Sequence, residues 1–222
     1  MKAMILAAGR GERMRPLTDH TPKPLLHAAG KPIIEHTITQ LVAAGFKDIV
    51  INHAHLGQQI ENYLGDGQHL GANIRYSPEG ETGLETAGGI INALPLLGDQ
   101  PFLVVNGDIA TDFPYAELQN LSVDLAHLIL VNNPEHHPAG DFALDNNGYV
   151  MDIGAAKWTF SGIGLYRAAL FNTTPPGASK LAPILRAAML ERRISGQHFS
   201  GFWMDIGTPQ RLQALDTKLH SR

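Results

Sequence analysis

Four short strand-like runs recur along this chain, three nearly all apolar at residues 3–7, 102–105 and 125–131 and one with a β-branched centre at 47–53, and stretches with helical spacing lie among them. Runs of this kind, rich in Val, Ile and Leu and without polar alternation, read as strands buried on both faces. Between and after them, residues 33–44 carry Ile34, Ile38, Leu41 and Val42 on one stripe. Residues 56–64 form a second helical stretch ending at Gly65, and 86–94 a third that Pro95 helps to end. A short strand at 72–76 lies between those two. Further on, Leu181, Leu185, Ala188 and Met189 form a core stripe in a helix over 181–192, and a last helix covers 212–219. Strands alternating with helices give an α/β chain with a Rossmann-like, mostly parallel (mixed) sheet and helices on both faces. Residues 141–166 depart from the rhythm. Asn146-Asn147-Gly148 sits there between short β-like runs, so a small antiparallel insertion is expected. At roughly 150 residues per domain, 222 residues with no repeat, low-complexity tract or linker read as a single domain, 1–222.

Composition removes several classes of function. Cysteine is absent, which excludes disulfides, thiolate zinc sites and thiol nucleophiles together. A net charge of −4 argues against a general nucleic-acid or membrane-surface binder. No apolar run approaches the roughly 20 residues needed to span a bilayer. The first apolar run stops at Gly9, and Arg10, Glu12, Arg13 and Arg15 follow at once, so it reads as a strand rather than an export signal. A cytoplasmic enzyme is the expectation.

The chemistry concentrates after the first strand, in Gly9-Arg10-Gly11-Glu12-Arg13-Met14-Arg15-Pro16-Leu17-Thr18. Ligands of open α/β sheets bind beyond the carboxyl ends of strands. Glycines there let backbone N–H groups come close to phosphate oxygens. Residues 10–31 hold five Arg and Lys against two carboxylates, a cationic segment on an acidic chain. A polyphosphate ligand needs such a segment; a merely solvated basic turn is the plainer alternative. A dinucleotide fingerprint fails because Met14 stands where a third glycine or alanine belongs, and a P-loop fails for lack of a closing Gly-Lys-Ser/Thr.

The longer string Leu6-Ala7-Ala8-Gly9-x-Gly11-x-Arg13-x-x-Pro16-Leu17-Thr18, followed by Pro22-Lys23-Pro24, resembles the signature of the sugar-1-phosphate nucleotidylyltransferase family. The resemblance extends over the whole chain and implies the nucleotide-diphospho-sugar transferase fold. It assigns Arg13 to the nucleotide phosphates and Lys23 to charge developing around the α-phosphate. Leu6, Ala8, Gly9, Gly11 and Glu12 fall within the nucleotide-binding string. Asp108 in Asn106-Gly107-Asp108 and Asp205 in Trp203-Met204-Asp205-Ile206-Gly207-Thr208 stand far apart in sequence, and spacing alone leaves them as turn residues. The resemblance makes them ligands of Mg²⁺, which takes one or two carboxylates together with phosphate oxygens. It likewise implies a base and ribose lining from Pro78, Glu79 and Thr86, with Asn106 near the metal. Glu85 stands where the family commonly has glycine. On the sugar side, Gly140, Asp141, Ser161 and Gly162 match the segments that line the sugar pocket. The family's Glu-Lys-Pro, whose lysine holds the sugar phosphate, is missing, and Lys157 is an uncertain substitute.

His53-x-His55 and His136-His137 invite a zinc reading, which is set aside because no acidic or third histidine partner stands near the first pair in sequence. Residues 51–61, 76–81 and 84–86 are similar to compact uridylyl-transferring members that act on N-acetylmuramate 1-phosphate in cell-wall sugar recycling. The implied partners are a nucleoside triphosphate, UTP before others, and a sugar 1-phosphate, with no nucleic acid and no membrane, in a monomer or small homo-oligomer. Thymidylyl transfer, mannose-1-phosphate guanylyl transfer and cytidylyl transfer to phosphocholine are the alternatives within enzymes. A non-catalytic nucleotide-sugar sensor is the alternative outside them.

Overall fold

The computed structural model describes residues 1–221. Its main sheet is built on β1 (Ala3–Leu6), flanked on one side by β4 (Asp48–His53) and then β5 (Asn73–Pro78), and on the other by β6 (Phe102–Asn106). Beyond β6 follow β11 (Thr159–Tyr166), β8 (Ala126–Val131) and the edge strand β12 (Ile194–Phe199). All neighbouring pairs run parallel except those of β11, which is antiparallel to both β6 and β8. Ile5 sits level with Ile51 on one side and Val105 on the other, so the sheet's centre is a continuous apolar layer.

The faces alternate as strand geometry demands. Ala3, Ile5, Ile49, Ile51, Leu103 and Val105 pack under α1 (Ile33–Ala43) and α2 (Gly57–Leu64). Met4, Val50, Phe102 and Val104 pack on the other side under α3 (Glu85–Leu97) and α4 (Leu181–Leu190). Each such side chain taken fully from water contributes roughly 1.5–3 kcal/mol, which is why the runs hold together despite their few polar anchors. A third cluster joins Met14, Leu26, Ala28 and Ile33 to Ile206, Leu212 and Leu215, so that α5 (Pro209–His220) props the base of the glycine loop.

Chain order decides where a ligand can enter. From β1 the chain winds outward through β4 and β5, and α3 then carries it back across to β6 on the opposite side of β1. A crevice opens beyond the carboxyl ends of strands at such a reversal.

Several elements differ from the sequence expectation. Pro95 lies inside the last turn of α3, which runs on to Leu97. A proline this late removes one N–H, and the end is made instead by Gly98, whose N–H closes on the Leu94 carbonyl at 2.9 Å with φ +82°. The antiparallel insertion is smaller than residues 141–166. It consists of β9 (Ala143–Leu144) and β10 (Val150–Met151), joined by a turn in which Gly148 takes φ +79°. Residues 159–166 belong to the main sheet as β11. Edge strand β12 carries Gly196, Gln197 and His198, so it lacked an apolar signature; pairing with β8 over all six positions makes it a strand. Two short antiparallel ribbons complete the chain: β2 (His27–Ala28) with β3 (Lys31–Pro32), and β7 (Ile109–Thr111) with β13 (Trp203–Asp205).

The N-terminus of α3 is seated on the segment before α4. Ala87 and Gly88 both donate to the Ser179 carbonyl, and a Cβ on Gly88 would stand 2.2 Å from the Gly177 carbonyl oxygen. Gly88→Ala is therefore expected to destabilise the protein by about 1–3 kcal/mol. That corresponds to a fall of roughly 2–4 °C in Tm per kcal/mol, read by thermal unfolding against Gln213→Ala at an exposed helical position as the control.

Candidate active site

The reversal point holds a cleft of ≈ 900 Å³ between the glycine loop, the ends of β4 and β6, and the start of α3. A volume of this order suits a nucleotide-sized ligand. Leu6, Ala8, Gly9, Gly11, Glu12, Arg13 and Lys23 line it from the loop side. Gly11 takes φ +67°, and a Cβ there would strike the Thr18 methyl at 2.8 Å. The Thr18 hydroxyl donates to the Gly11 carbonyl at 2.8 Å, which explains why a threonine closes the loop. Met14, fully buried, pins the loop from below, while nothing stands within 4 Å of where a Gly9 Cβ would be. Arg10 reaches across the mouth to the Glu81 carbonyl at 2.8 Å.

At the far end, Asn52 is the organising polar group. Its side-chain oxygen accepts from Ala7 N–H at 2.8 Å, and its Nδ2 donates to Glu79 Oε1 at 2.5 Å. Glu79 Oε2 accepts from Leu84 N–H at 2.7 Å. One buried amide and one buried carboxylate thus tie β1, β4, β5 and the α3 entry into a single wall. Asn52 carried no signal beyond being polar at the end of an apolar strand. Thr86 and Glu85 line the same end, and Glu85 holds the left-handed φ of +60° that glycine takes without cost.

The β7–β13 ribbon brings the backbones of the two distant aspartates side by side, with Asp108 in the cleft lining and Asp205 outside it. Asp205 pairs with Ile109, and Ile206 N–H donates to the Asp108 carbonyl at 2.7 Å. Lys23, 8% exposed, places its ammonium on Asp108 Oδ2 at 2.5 Å. Asp205 accepts from Arg211 Nη1 through both oxygens at 2.5 Å, and His136 Nε2 stands 3.1 Å from its Oδ1. Arg13 makes no hydrogen bond or ion pair among the described residues. A Cβ on Gly207 would lie 3.1 Å from its Nη2. Asn106, beside Asp108, likewise keeps its side-chain amide free of hydrogen bonds among the described residues.

Other candidates fall elsewhere. Pro78 lies at the end of β5, outside the cleft lining, with its carbonyl accepting from Asn92. Gly140, Asp141, Ser161 and Gly162 do not line the cleft either. Asp141 spends its carboxylate on His137 Nε2 at 3.1 Å and Phe160 N–H at 2.8 Å. Ser161 is buried and donates to the Ile129 carbonyl, while Gly162 sits against Asn106, whose Nδ2 would be 2.5 Å from a Cβ there. Lys157 stands 4.0 Å from Asp152. The histidine pairs do have acidic partners: Glu61 holds His53 at 2.6 Å, one helical turn away in space but invisible to local spacing. Among the described residues no group of three or more His, Cys, Asp and Glu gathers as a metal cage. Arg211 was missed, and His136 was weighed only as a zinc ligand. The Thr208-Pro209 helix start was a usable signal for Arg211, because it puts that residue in the first turn of α5 beside Asp205.

A basic glycine loop over paired carboxylates, at the reversal of a parallel sheet, defines a phosphate-ester site of the nucleotide-handling α/β class. The chain belongs to the nucleotidyl transferase family, whose match spans residues 2–222. It is 56% identical over 221 residues, 96% of each chain, to an N-acetylmuramate alpha-1-phosphate uridylyltransferase of Neisseria meningitidis serogroup B. To the protein of the same description from Caulobacter vibrioides it is 34% identical, over 98% of this chain and 96% of that one. Among solved structures, a Bacillus anthracis protein described as a glucose-1-phosphate thymidylyltransferase, crystallised with sucrose, superposes with a TM-score of 0.85 at 24% identity. That superposition covers 100% of this chain and 96% of the other and expresses likeness of fold.

Replacing Asn52 with leucine leaves the Ala7 N–H and the Glu79 carboxylate without their partner in a buried wall. Asn52→Leu is expected to cost about 1–3 kcal/mol, read as a lowered denaturation midpoint in urea. An unchanged midpoint would mean that this amide does not organise the wall.

Proposed function

We propose that this protein transfers a uridylyl group from UTP to N-acetylmuramate 1-phosphate, giving UDP-N-acetylmuramate and pyrophosphate, in cytoplasmic recycling of cell-wall sugar. The observation that carries the reading is the cleft itself: uncommitted Arg13 and the Lys23–Asp108 pair face the same opening, with Asp205 bonded in through the neighbouring ribbon. The relative at 56% identity, matched along nearly its whole length, supports the choice of substrates.

In this reaction an oxygen of the sugar 1-phosphate attacks the α-phosphorus in line. The new P–O bond forms as the bond to the bridging oxygen breaks, and the electron pair leaves with pyrophosphate. The nucleophile is already an anion, so no general base is required, and catalysis reduces to positioning and charge neutralisation. The glycine loop brings backbone N–H groups and Arg13 to the triphosphate. Lys23 sits where negative charge builds at the α-phosphate. Asn106 and the small residues at the α3 entry hold the nucleoside against the Asn52–Glu79 wall.

The donor set fits magnesium. Two carboxylates and no thiolate or imidazole cage is what this ion takes when phosphates supply its remaining ligands. Asp108 and Asp205 would hold it, and when bound it supplies further screening between the two phosphates.

Removing a preorganised charged contact of this kind costs about 10²–10³ in rate. Lys23→Ala and Asp108→Ala are each expected to lower turnover at least that far while the circular dichroism spectrum stays native, and near-native turnover in either would remove the assignment. A pyrophosphate-release panel crossing UTP, dTTP, GTP and CTP with N-acetylmuramate, glucose and mannose 1-phosphates should show turnover with the first of each. EDTA should abolish the signal and added Mg²⁺ restore it. Preference for another pair overturns the substrate choice, and EDTA-resistant turnover overturns the metal.

A further inference from the structure

We propose that Arg211, with His136 beside it, binds the phosphate of the incoming sugar. The proposal rests on the transferase reading above and names the group that receives its second substrate. Two mutually repelling phosphates must meet in this reaction, and each needs a cationic partner. The cleft's inventory is short. Arg10 is tied to a carbonyl at the rim, Lys23 lies on Asp108, and Arg13 projects from the triphosphate loop. Lys157 stands 4.0 Å from Asp152, and neither it nor Arg211 is itself a lining residue, but Arg211 lies directly against one, Gly207.

Arg211 remains, and it is held with care. Thr208 caps α5 and accepts from the Arg211 backbone N–H at 3.3 Å, with the side-chain Nε at 3.5 Å from the same hydroxyl. Nη1 is committed to Asp205 and to His136 Nε2 at 2.8 Å. Nη2 has no hydrogen-bond partner among the described residues. It lies 2.6 Å from where a Cβ of Gly207 would stand, and Gly207 is a wall residue of the cleft. Glycine at 207 therefore leaves a gap through which the free arm of the guanidinium faces the opening. The same absent Cβ would lie 3.0 Å from Asp205 Oδ2. A phosphate placed there meets the N–H donors of Nη2 in a charge-assisted contact.

Its chemistry suits an acceptor. A guanidinium stays protonated at working pH, so it offsets the phosphate's charge without taking or giving a proton. The attacking oxygen stays unprotonated, its lone pair is free to form the new P–O bond, and no proton moves in the step. His136 adds a link to the acceptor side. It belongs to the connection between β8 and β9, the segment that also carries Asp141, and this contact ties that segment to Arg211 and Asp205.

The product offers the cleanest test, because its second phosphate is the acceptor's own. Metal-free calorimetric titrations in EDTA with UDP-N-acetylmuramate and with UMP would compare wild type, Arg211→Gln and Arg211→Lys. Loss of a charge-assisted contact should weaken the first ligand about tenfold or more in Arg211→Gln and leave UMP within about twofold, with Arg211→Lys between. In turnover, the KM for the sugar 1-phosphate should rise by a similar factor while that for UTP holds. Equal loss for both ligands, or no loss, overturns the proposal. So does a change confined to kcat and to the Mg²⁺ concentration for half-activity, which would mean that Arg211 merely holds Asp205. If wild type turns over no sugar 1-phosphate at all, the transferase reading falls first and this one with it; if wild type is active and Arg211→Gln behaves like it, only the role of Arg211 falls.

Discussion

A backbone hydrogen bond from Ile206 N–H to the Asp108 carbonyl extends the β7–β13 pairing that joins the two halves of the candidate site. It closes the β7–β13 ribbon, and with it the last turn of chain before α5 is laid against the strand that leaves β6. Without that pairing, Asp108 would end an isolated loop and Asp205 would belong to a separate C-terminal segment. The ribbon in turn depends on α5, whose apolar face with Leu212 and Leu215 is buried against Met14 and Ile33. Packing of one amphipathic helix thus sets both the height of the glycine loop and the approach of the second aspartate.

The charges of the free protein are arranged as exchangeable pairs. Lys23 rests on Asp108, and Arg211 rests on Asp205. Burying either cation alone would be costly, and pairing it inside the protein offsets that cost until a phosphate arrives. A chain of net charge −4 can in this way carry a strongly cationic mouth without self-repulsion in its resting form. Arg13, unpaired among the described residues, is the exception, and its Nη2 would lie 3.1 Å from a Cβ at Gly207.

The nucleoside end works by a different principle. There the wall is neutral in effect: the Glu79 carboxylate is satisfied by an amide and a backbone N–H, and these bonds fix the relative height of four elements. Glu79 therefore stands in the cleft lining as a structural tie. The positive φ of Glu85 belongs to the same corner, a strained conformation kept where the helix meets the cleft.

Much of this was legible in the residues themselves. Apolar runs without alternation specified a buried parallel sheet, because a strand covered on both faces tolerates few polar side chains, and the order of strands and helices followed from periodicity. Gly11, Arg13, Thr18 and Lys23 could be read as one device since they lie within a few turns of chain. The edge strand at 194–199 escaped, because its polar residues carry no periodic signal and only pairing with β8 makes it a strand. Gly140, Asp141, Ser161 and Gly162 could be named but not located, and folding puts them beside the cleft wall rather than in it. Arg211 and His136 stand 75 positions apart and meet on Asp205, a neighbourhood no local pattern encodes. Local sequence thus determined the elements and the phosphate loop, since short-range sterics and burial set those. Tertiary structure alone decided which charges face one another, since that depends on contacts between segments whose separation along the chain carries no information about their distance in space.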